Sequence, residues 1–218
     1  IASGTGQHAT WFAAGLPGWQ WQPTDLQASA LATIAAWTEQ SGVRNVLPPM
    51  RLDVTAGQWP DEGDLFGEAF GETFDAVYCA NMLHIAPWAA CSGLMQGAVR
   101  VLAPGGTCYF AGGHLLQLVE PHYRLPLLSW LPRPLADAYL RLSGRGRRYE
   151  ERFVMPWRVR RLFGSFAAAE LVSARMLLDP AGFRLGPAWA GRVTRRLPAG
   201  LLRAAALWLP TQVWLLRR

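Results

Sequence analysis

"FDAVYCANML", residues 74–83, is the stretch that decides the fold. Its middle is apolar at consecutive positions rather than alternate ones, the pattern of a strand covered on both faces. Downstream, "CSGLMQGAVRVL" (91–102) has helical spacing, "APGG" (103–106) reads as a turn, and "TCYFAG" (107–112) is a second buried strand. Strand, helix and strand in this order form a right-handed crossover unit. Such a unit places the loop after its first strand, at Asn81, on the sheet edge where ligands bind.

The same alternation extends upstream. "SGTGQH" (3–8) is a glycine turn, and "HATWFAAGLP" (8–17) fits a helix ending near Leu16. "WQWQPTD" (19–25) is a short strand signal reaching Asp25, and "LQASALATIAAWTEQSG" (26–42) is a helix stopped by Gly42. "NVLPPMRLDV" (45–54) is a strand signal interrupted by Pro48-Pro49 and reaching Asp53. Strands alternating with helices of this length predict an α/β, Rossmann-like, doubly wound and mostly parallel sheet. Gly4, Gly6, Asp25, Asp53 and Asn81 then converge on one edge.

From residue 112 the pattern changes. "GGHLLQLVEPHYRLPLLSWLPRPLADAYLRLSGRGRRYEERF" (112–153) is too irregular and too rich in Pro and Arg for a crossover, and it reads as a lid-like insertion. "PWRVRRLFGSF" (156–166) is helical, "AELVSARML" (169–177) a strand, and "PAGLLRAAALWL" with "TQVWLLRR" (198–209, 211–218) a last helix and strand. The expected organisation is one domain over 1–218. Residues 1–111 form its cofactor-binding half, 112–157 a substrate lid, and 158–218 the closing helices and strands.

Composition sets the outer bounds. With 51% apolar residues over 218 positions the chain can bury a domain-sized core, and 17% charged residues are too few for general disorder. Charge is divided unevenly. Residues 1–110 carry Arg44, Arg51 and Arg100 against nine acids, and the remainder carries eighteen arginines against six acids. A basic half fits an anionic substrate, a nucleic acid or a membrane surface, and a solvated arginine surface accounts for it equally. No RNA-binding signature or zinc-knuckle spacing supports nucleic acid. Cys79, Cys91 and Cys108 lack C-x-x-C spacing, which predicts reduced thiols in a cytoplasmic protein rather than a disulfide framework or a metal site. The longest apolar stretch, 197–216, is broken by Arg203 and Pro210, so no transmembrane helix is expected. Peripheral membrane contact stays open.

Glycines in "SGTGQH" admit a ligand close to the backbone, and the helix behind them offers unpaired N–H groups. Ala9 stands where a nicotinamide fingerprint carries its third glycine, an accepted substitute, so that motif alone does not separate cofactor classes. Asp25 is placed either to accept ribose hydroxyls or to cap the helix from Leu26. Asp53 suits an adenine amino group or a simple turn. His84 either faces an acceptor or packs in the core, and His122, beside Glu120, Tyr123 and Arg124, is either a base or part of a Pro-His turn. His8 reads as polarity in a helix's first turn, and His114 has no assigned role. Trp130, Trp157, Trp189, Trp208 and Trp214 line an acceptor pocket, touch a membrane interface or pack in the core, and the core is the default.

Taken together, "IASGTGQH", "WQPTDL", "IAAW", "LDVTAGQWP", "FDAVYCANMLHIAPWAA" and "LAPGG" resemble the class I S-adenosylmethionine-dependent methyltransferases, and more closely the DUF938 methyltransferase-like family. The resemblance implies S-adenosyl-L-methionine as cofactor. It implies that Ala2, Ser3, Gly4, Thr5 and Gly6 hold the methionine end, Asp25 and Leu26 the ribose, Asp53 and Val54 the adenine, with Asn81 beside the methionine. It also implies a first strand ending in an acid ahead of Ile1, so the chain is expected to be a fragment lacking most of that strand. Beyond Gly106 the resemblance shifts to another bacterial class I methyltransferase group. Methyl transfer to a small or lipid-like acceptor is the activity expected, with His84 and His122 as candidate bases. A catalytically incompetent binding module is the alternative, and a nicotinamide oxidoreductase fits "LAPGG" and "ANMLHI" less well.

Overall fold

The computed structural model describes residues 1–56, 59, 73–82, 85–151, 153, 155–180, 182–183, 194, 196–209 and 211–218. Helix α1 (Gln7–Gly15) starts directly behind Gly6, whose φ of 86° lies in the left-handed region. A Cβ at Gly6 would come within 2.9 Å of the Ile34 backbone, so the glycine also lets α1 close onto α2 (Ala28–Ser41). Helix α2 stops at Gly42, again left-handed with φ 67°, as the sequence predicts. Strands β1 (Thr24–Asp25) and β2 (Met50–Arg51) are short and pair in parallel, with Asp25 opposite Arg51. Trp21 and Val46 extend that pairing by one bridge.

The crossover unit forms as expected. Strand β3 (Phe74–Ala80) runs into α3 (Trp88–Val101), which returns through β4 (Leu102–Gly113) parallel to β3. The register jumps from Phe74 opposite Leu102 to Ala76 opposite Thr107. The predicted "APGG" turn is therefore a bulge inside β4, with Gly105 at φ 79°.

The lid follows β4. It contains a two-stranded hairpin, β5 (Val119–Glu120) with β6 (Leu125–Pro126), then a 3₁₀ turn (Leu128–Trp130) and α4 (Arg133–Leu142). Helix α5 (Pro156–Arg161) leads into β7 (Ala168–Leu171), α6 (Val172–Leu178), α7 (Ala199–Ala206) and β8 (Thr211–Arg217). One expectation needs correcting here. "AELVSARML" is not a single strand, because it turns from β7 into α6 at Val172. Val172, Ser173 and Ala174 are all buried there, which an alternating strand face does not allow. The larger sheet has the order β3-β4-β8-β7, with β8 antiparallel to both its neighbours.

Cores lie on both faces of this sheet. On one, Cys91, Leu94, Met95 and Ala98 of α3 pack against Val77, Cys79, Cys108, Phe110 and Leu216. A Cβ on Gly93 would strike the Val54 carbonyl, so α3 approaches the loop after β2 at backbone distance. On the other face, Tyr78 stacks on Tyr109 at 4.8 Å and Ala111, Val172 and Val213 form a smaller cluster. The lid keeps a core of its own from Leu125, Leu128, Ala136, Leu140 and Tyr149. Among the described residues no helix is long and apolar enough to cross a membrane.

Candidate functional site

Residues 1–3 lie between the two sheets. The Ile1 nitrogen donates to the Tyr78 carbonyl at 2.8 Å, and the Ser3 N–H donates to Thr24 at 3.0 Å. This path delivers the glycine turn to the ends of β1 and β3. Ala2 and Gly4 are both left-handed, at φ 52° and 56°, and the Gly6 N–H closes the turn onto the Ser3 carbonyl at 2.9 Å. Among the described residues no atom outside its chain neighbours lies within 4 Å of the place a Gly4 Cβ would take, which leaves the turn's outer side clear of them. Thr5 is exposed beside it.

Asp25 ties this turn to the sheet. Its Oδ2 accepts the Gly4 N–H at 2.9 Å and its Oδ1 the Gln27 N–H at 3.1 Å. It does not cap α2, whose N-cap is Gln27 with no side-chain cap bond. Each carboxylate oxygen has room for another donor, since one hydrogen bond uses one lone pair. Leu26 is half exposed, and its carbonyl accepts the Arg51 Nε–H at 3.3 Å.

Asp53 closes a local turn. Its Oδ1 takes both the Thr55 N–H at 2.8 Å and the Thr55 hydroxyl at 2.7 Å. The Thr55 hydroxyl, then its N–H, hold the Asp53 carboxyl below the usual carboxylate range. Val54 is buried against α3, and its carbonyl accepts the Trp59 indole N–H at 3.3 Å. Asn81, at φ 61°, is exposed at the end of β3, and its N–H is fixed on Ala111 of β4 at 2.9 Å. The glycine turn, Asp25, Asp53 and Asn81 thus occupy strand ends as the sequence places them. His84 and Trp189 lie outside the described residues.

A second constellation sits in the lid. His122 Nδ1 meets Glu120 Oε1 at 2.7 Å, and Glu120 Oε2 accepts the Tyr123 N–H at 2.7 Å. Glu120 is fully buried, whereas the His122 side chain is 41% exposed. Nδ1 is the ring nitrogen that faces the carboxylate, and the direction of that hydrogen bond follows the imidazole tautomer. Phe153 links the dyad to the sheet. Its ring is 6.3 Å from that of His122, and it fills the space a Cβ on Gly113, the last residue of β4, would need. Burial raises the Glu151 carboxyl, with His122 opposing and Glu120 and Glu150 adding to the shift. Burial also raises the Tyr149 hydroxyl.

Gln117 was not among the sequence candidates. It is fully buried, and among the described residues neither its amide atoms nor the Tyr149 hydroxyl has a hydrogen-bond partner. Its signal was a lone polar residue within the apolar run "HLLQLV" (114–119). His114 is structural: its Nδ1 accepts the Leu116 N–H at 3.1 Å, its Nε2 contacts the Leu209 carbonyl, and burial lowers its pKa. Trp214 belongs to the core, while Trp130, Trp157 and Trp208 are exposed. The three cysteines are buried, and burial pushes Cys79 and Cys91 up to about 11 and Cys108 up to about 12, which keeps them as thiols at neutral pH. Among the described residues no cluster of His, Cys, Asp and Glu has the form of a metal site.

Parallel strands, a glycine turn and acids at one edge, and a final antiparallel strand in the interior of the sheet define a class I methyltransferase fold. Solved structures agree. The S-adenosylmethionine-dependent methyltransferase SibL superposes with a TM-score of 0.56 at 15% identity, over 100% of this chain and 48% of its own. PKMT2 from Rickettsia typhi, in complex with AdoHcy, gives 0.57 at 13% identity over 99% and 47%. An S-adenosylmethionine-dependent methyltransferase from Mesorhizobium loti gives 0.53 at 17% identity over 100% and 88%. This chain spans about half the length of SibL and of PKMT2. A family model described as "protein of unknown function (DUF938)" matches residues 1–117, and the chain belongs to that family.

Proposed function

We propose that this chain binds S-adenosylmethionine across the glycine turn and transfers its methyl group to a small or lipid-like acceptor beneath the lid. The observation that carries this reading is the hydrogen bond from Gly4 to Asp25, which sets an open backbone turn against a carboxylate at the end of β1. Those residues suit the cofactor. Gly4 leaves its outer side clear, and Asp25 retains lone pairs for ribose hydroxyls. Asp53 keeps Oδ2 for an amino group, with Val54 supplying an apolar wall behind it. Asn81, held rigidly in a left-handed backbone by β4, presents its amide to the methionine end.

Once bound, the cofactor would supply an electrophilic methyl group on a sulfonium and would leave as the neutral thioether. The protein's work is then alignment and proton management. His122 takes the acceptor proton on Nε2, and the buried Glu120 carboxylate stabilises the imidazolium that results. Glu120 also fixes the ring orientation, and its second oxygen is anchored by the Tyr123 N–H, so the dyad is pre-set. Phe153 sets the dyad against Gly113 at the end of the strand beside Asn81.

Methyl-labelled S-adenosylmethionine, offered with water-soluble and with lipid-soluble cell extracts, tests the assignment. Labelled product with stoichiometric S-adenosylhomocysteine is expected. His122→Ala should slow transfer by about 10²–10⁴-fold while leaving S-adenosylhomocysteine affinity unchanged. Transfer at the full rate in that variant removes His122 as the base. A folded chain that binds the cofactor but labels neither extract removes the transfer reading.

A further inference from the structure

The lid buries one set of apolar residues and displays another. Ala136 and Leu140 of α4 are fully buried, yet Leu135 and Leu142 on a different stripe of the same helix are exposed, Leu142 to 88%. With Ala138 they form an i, i+3, i+7 row. Around the hairpin, Leu118, Leu127 and Trp130 are also exposed. They are neighbours, because the Leu127 N–H donates to Leu118 at 2.8 Å and the Trp130 indole to Gln117 at 3.0 Å. The hairpin cluster and the α4 row are two exposed apolar sets on a segment that already has a core of its own, and exposed aliphatic and aromatic clusters mark an interaction face.

Arginines gather at the C-terminal end of α4, while the acids that follow them are exposed Glu150 and half-buried Glu151. Beyond Leu142 the chain turns at Gly144, left-handed at φ 69°, and Arg141, Gly144, Gly146 and Arg147 line a depression of about 520 Å³. Arg145 staples this loop to the hairpin by donating to the Tyr123 and Arg124 carbonyls, both at 2.6 Å. Among the described residues neither Arg141 nor Arg147 is in an ion pair. The lid's nearby acids are partly withdrawn, since Glu120 is buried with His122 and Asp137 accepts the Tyr149 N–H at 2.7 Å.

We infer that the outer face of the lid docks on an anionic lipid bilayer, with Leu135 and Leu142 among the acyl chains and the Arg141–Arg147 depression taking a lipid phosphate. Exposed aliphatics beside long arginine side chains are the composition of an interfacial helix, in which the stems lie along the apolar boundary and the guanidinium groups reach the headgroups. Anionic lipid complements the arginines, and neutral lipid offers only the apolar part. The inference goes beyond methyl transfer and does not depend on it.

Co-sedimentation of the 218-residue chain with phosphatidylcholine vesicles, with and without phosphatidylglycerol, tests it. Binding should require phosphatidylglycerol and weaken as salt screens the headgroups. Arg141→Gln with Arg147→Gln should lower the partition coefficient about thirtyfold. Leu135→Ser with Leu142→Ser should lower it further at high salt, where the apolar contribution dominates. Both pairs alter exposed side chains, and circular dichroism checks that the variants remain folded. No binding by the folded wild-type chain overturns the inference. So does equal binding to neutral vesicles, or a dimer in sedimentation velocity that the leucine variant dissolves while vesicles stay unbound, which would assign the face to a second copy of the chain.

Discussion

The two halves of this molecule use different materials for different tasks. The first is acidic and built on strand and helix, and its polar residues are drawn to strand ends, Asp25 bonded to Gly4 at the end of β1 and Asn81 held on Ala111 at the end of β3. The second is arginine-rich, and its lid packs around Leu125, Leu128 and Leu140 rather than around the sheet. The contrast separates a sheet edge, proposed above to take the cofactor, from a layer packed on its own core. A sheet edge fixes positions through backbone pairing, whereas the lid fixes them through side chains, as Arg133 does by reaching the Tyr149 and Glu151 carbonyls.

If the halves are energetically distinct, matched core deletions should behave differently. Phe110→Ala removes a ring from the sheet core, where it meets Phe163 at 6.1 Å, and should cost about 3–5 kcal/mol in denaturant unfolding, with cofactor binding lost alongside. Leu140→Ala should cost about 2–5 kcal/mol, but locally. Trypsin should then cut at the lid arginines while S-adenosylhomocysteine affinity holds. Equal global destabilisation and equal loss of binding would make sheet and lid one cooperative unit.

A smaller effect is expected at Asp25. Asp25→Ala should weaken S-adenosylhomocysteine binding by about 1–3 kcal/mol by calorimetry, through lost bonds to the ribose and to Gly4. The lid should stay as resistant to trypsin as in the wild type. Unchanged affinity would remove Asp25 from the site.

Near pH 9, where their titration only begins, the sheet's thiols give the smallest effect. Cys79 and Cys108 ordinarily titrate near 9.0, and burial carries them to about 11 and about 12. Because the folded values are raised, the unfolded chain releases these protons first. Their contribution to stability is complete below pH 9 and declines as pH rises toward those folded values. Melting temperatures measured across this window should fall, and Cys108→Ala should flatten the fall. An identical slope in that variant would assign the alkaline loss elsewhere.

Much of the first half was legible because its signals are local and periodic. The consecutive apolar run of β3, the glycine behind α1 and Gly42 behind α2 each state a backbone requirement in one or two residues. "AELVSARML" misled because its apolar spacing suits either a strand or a buried helix turn, and only burial of Val172, Ser173 and Ala174 together decides between them. The "APGG" bulge was hidden because a turn and a bulge use the same residues and differ only in what pairs across from them. The antiparallel setting of β8 between β4 and β7 depends on long-range pairing that no local pattern encodes. In the lid, the spacing of Glu120 and His122 was visible, but burial of that carboxylate and of the Gln117 amide, unpartnered among the described residues, emerge only when the hairpin, α4 and Phe153 assemble.

The central claim is that the acidic half is a working S-adenosylmethionine site. Calorimetric titration of the 218-residue chain with S-adenosylhomocysteine, with NADH as the control ligand, tests it most directly. One molecule of S-adenosylhomocysteine bound per chain with micromolar affinity, and no heat from NADH, is the predicted result. A chain shown to be folded that takes up NADH, or that binds neither ligand, contradicts it.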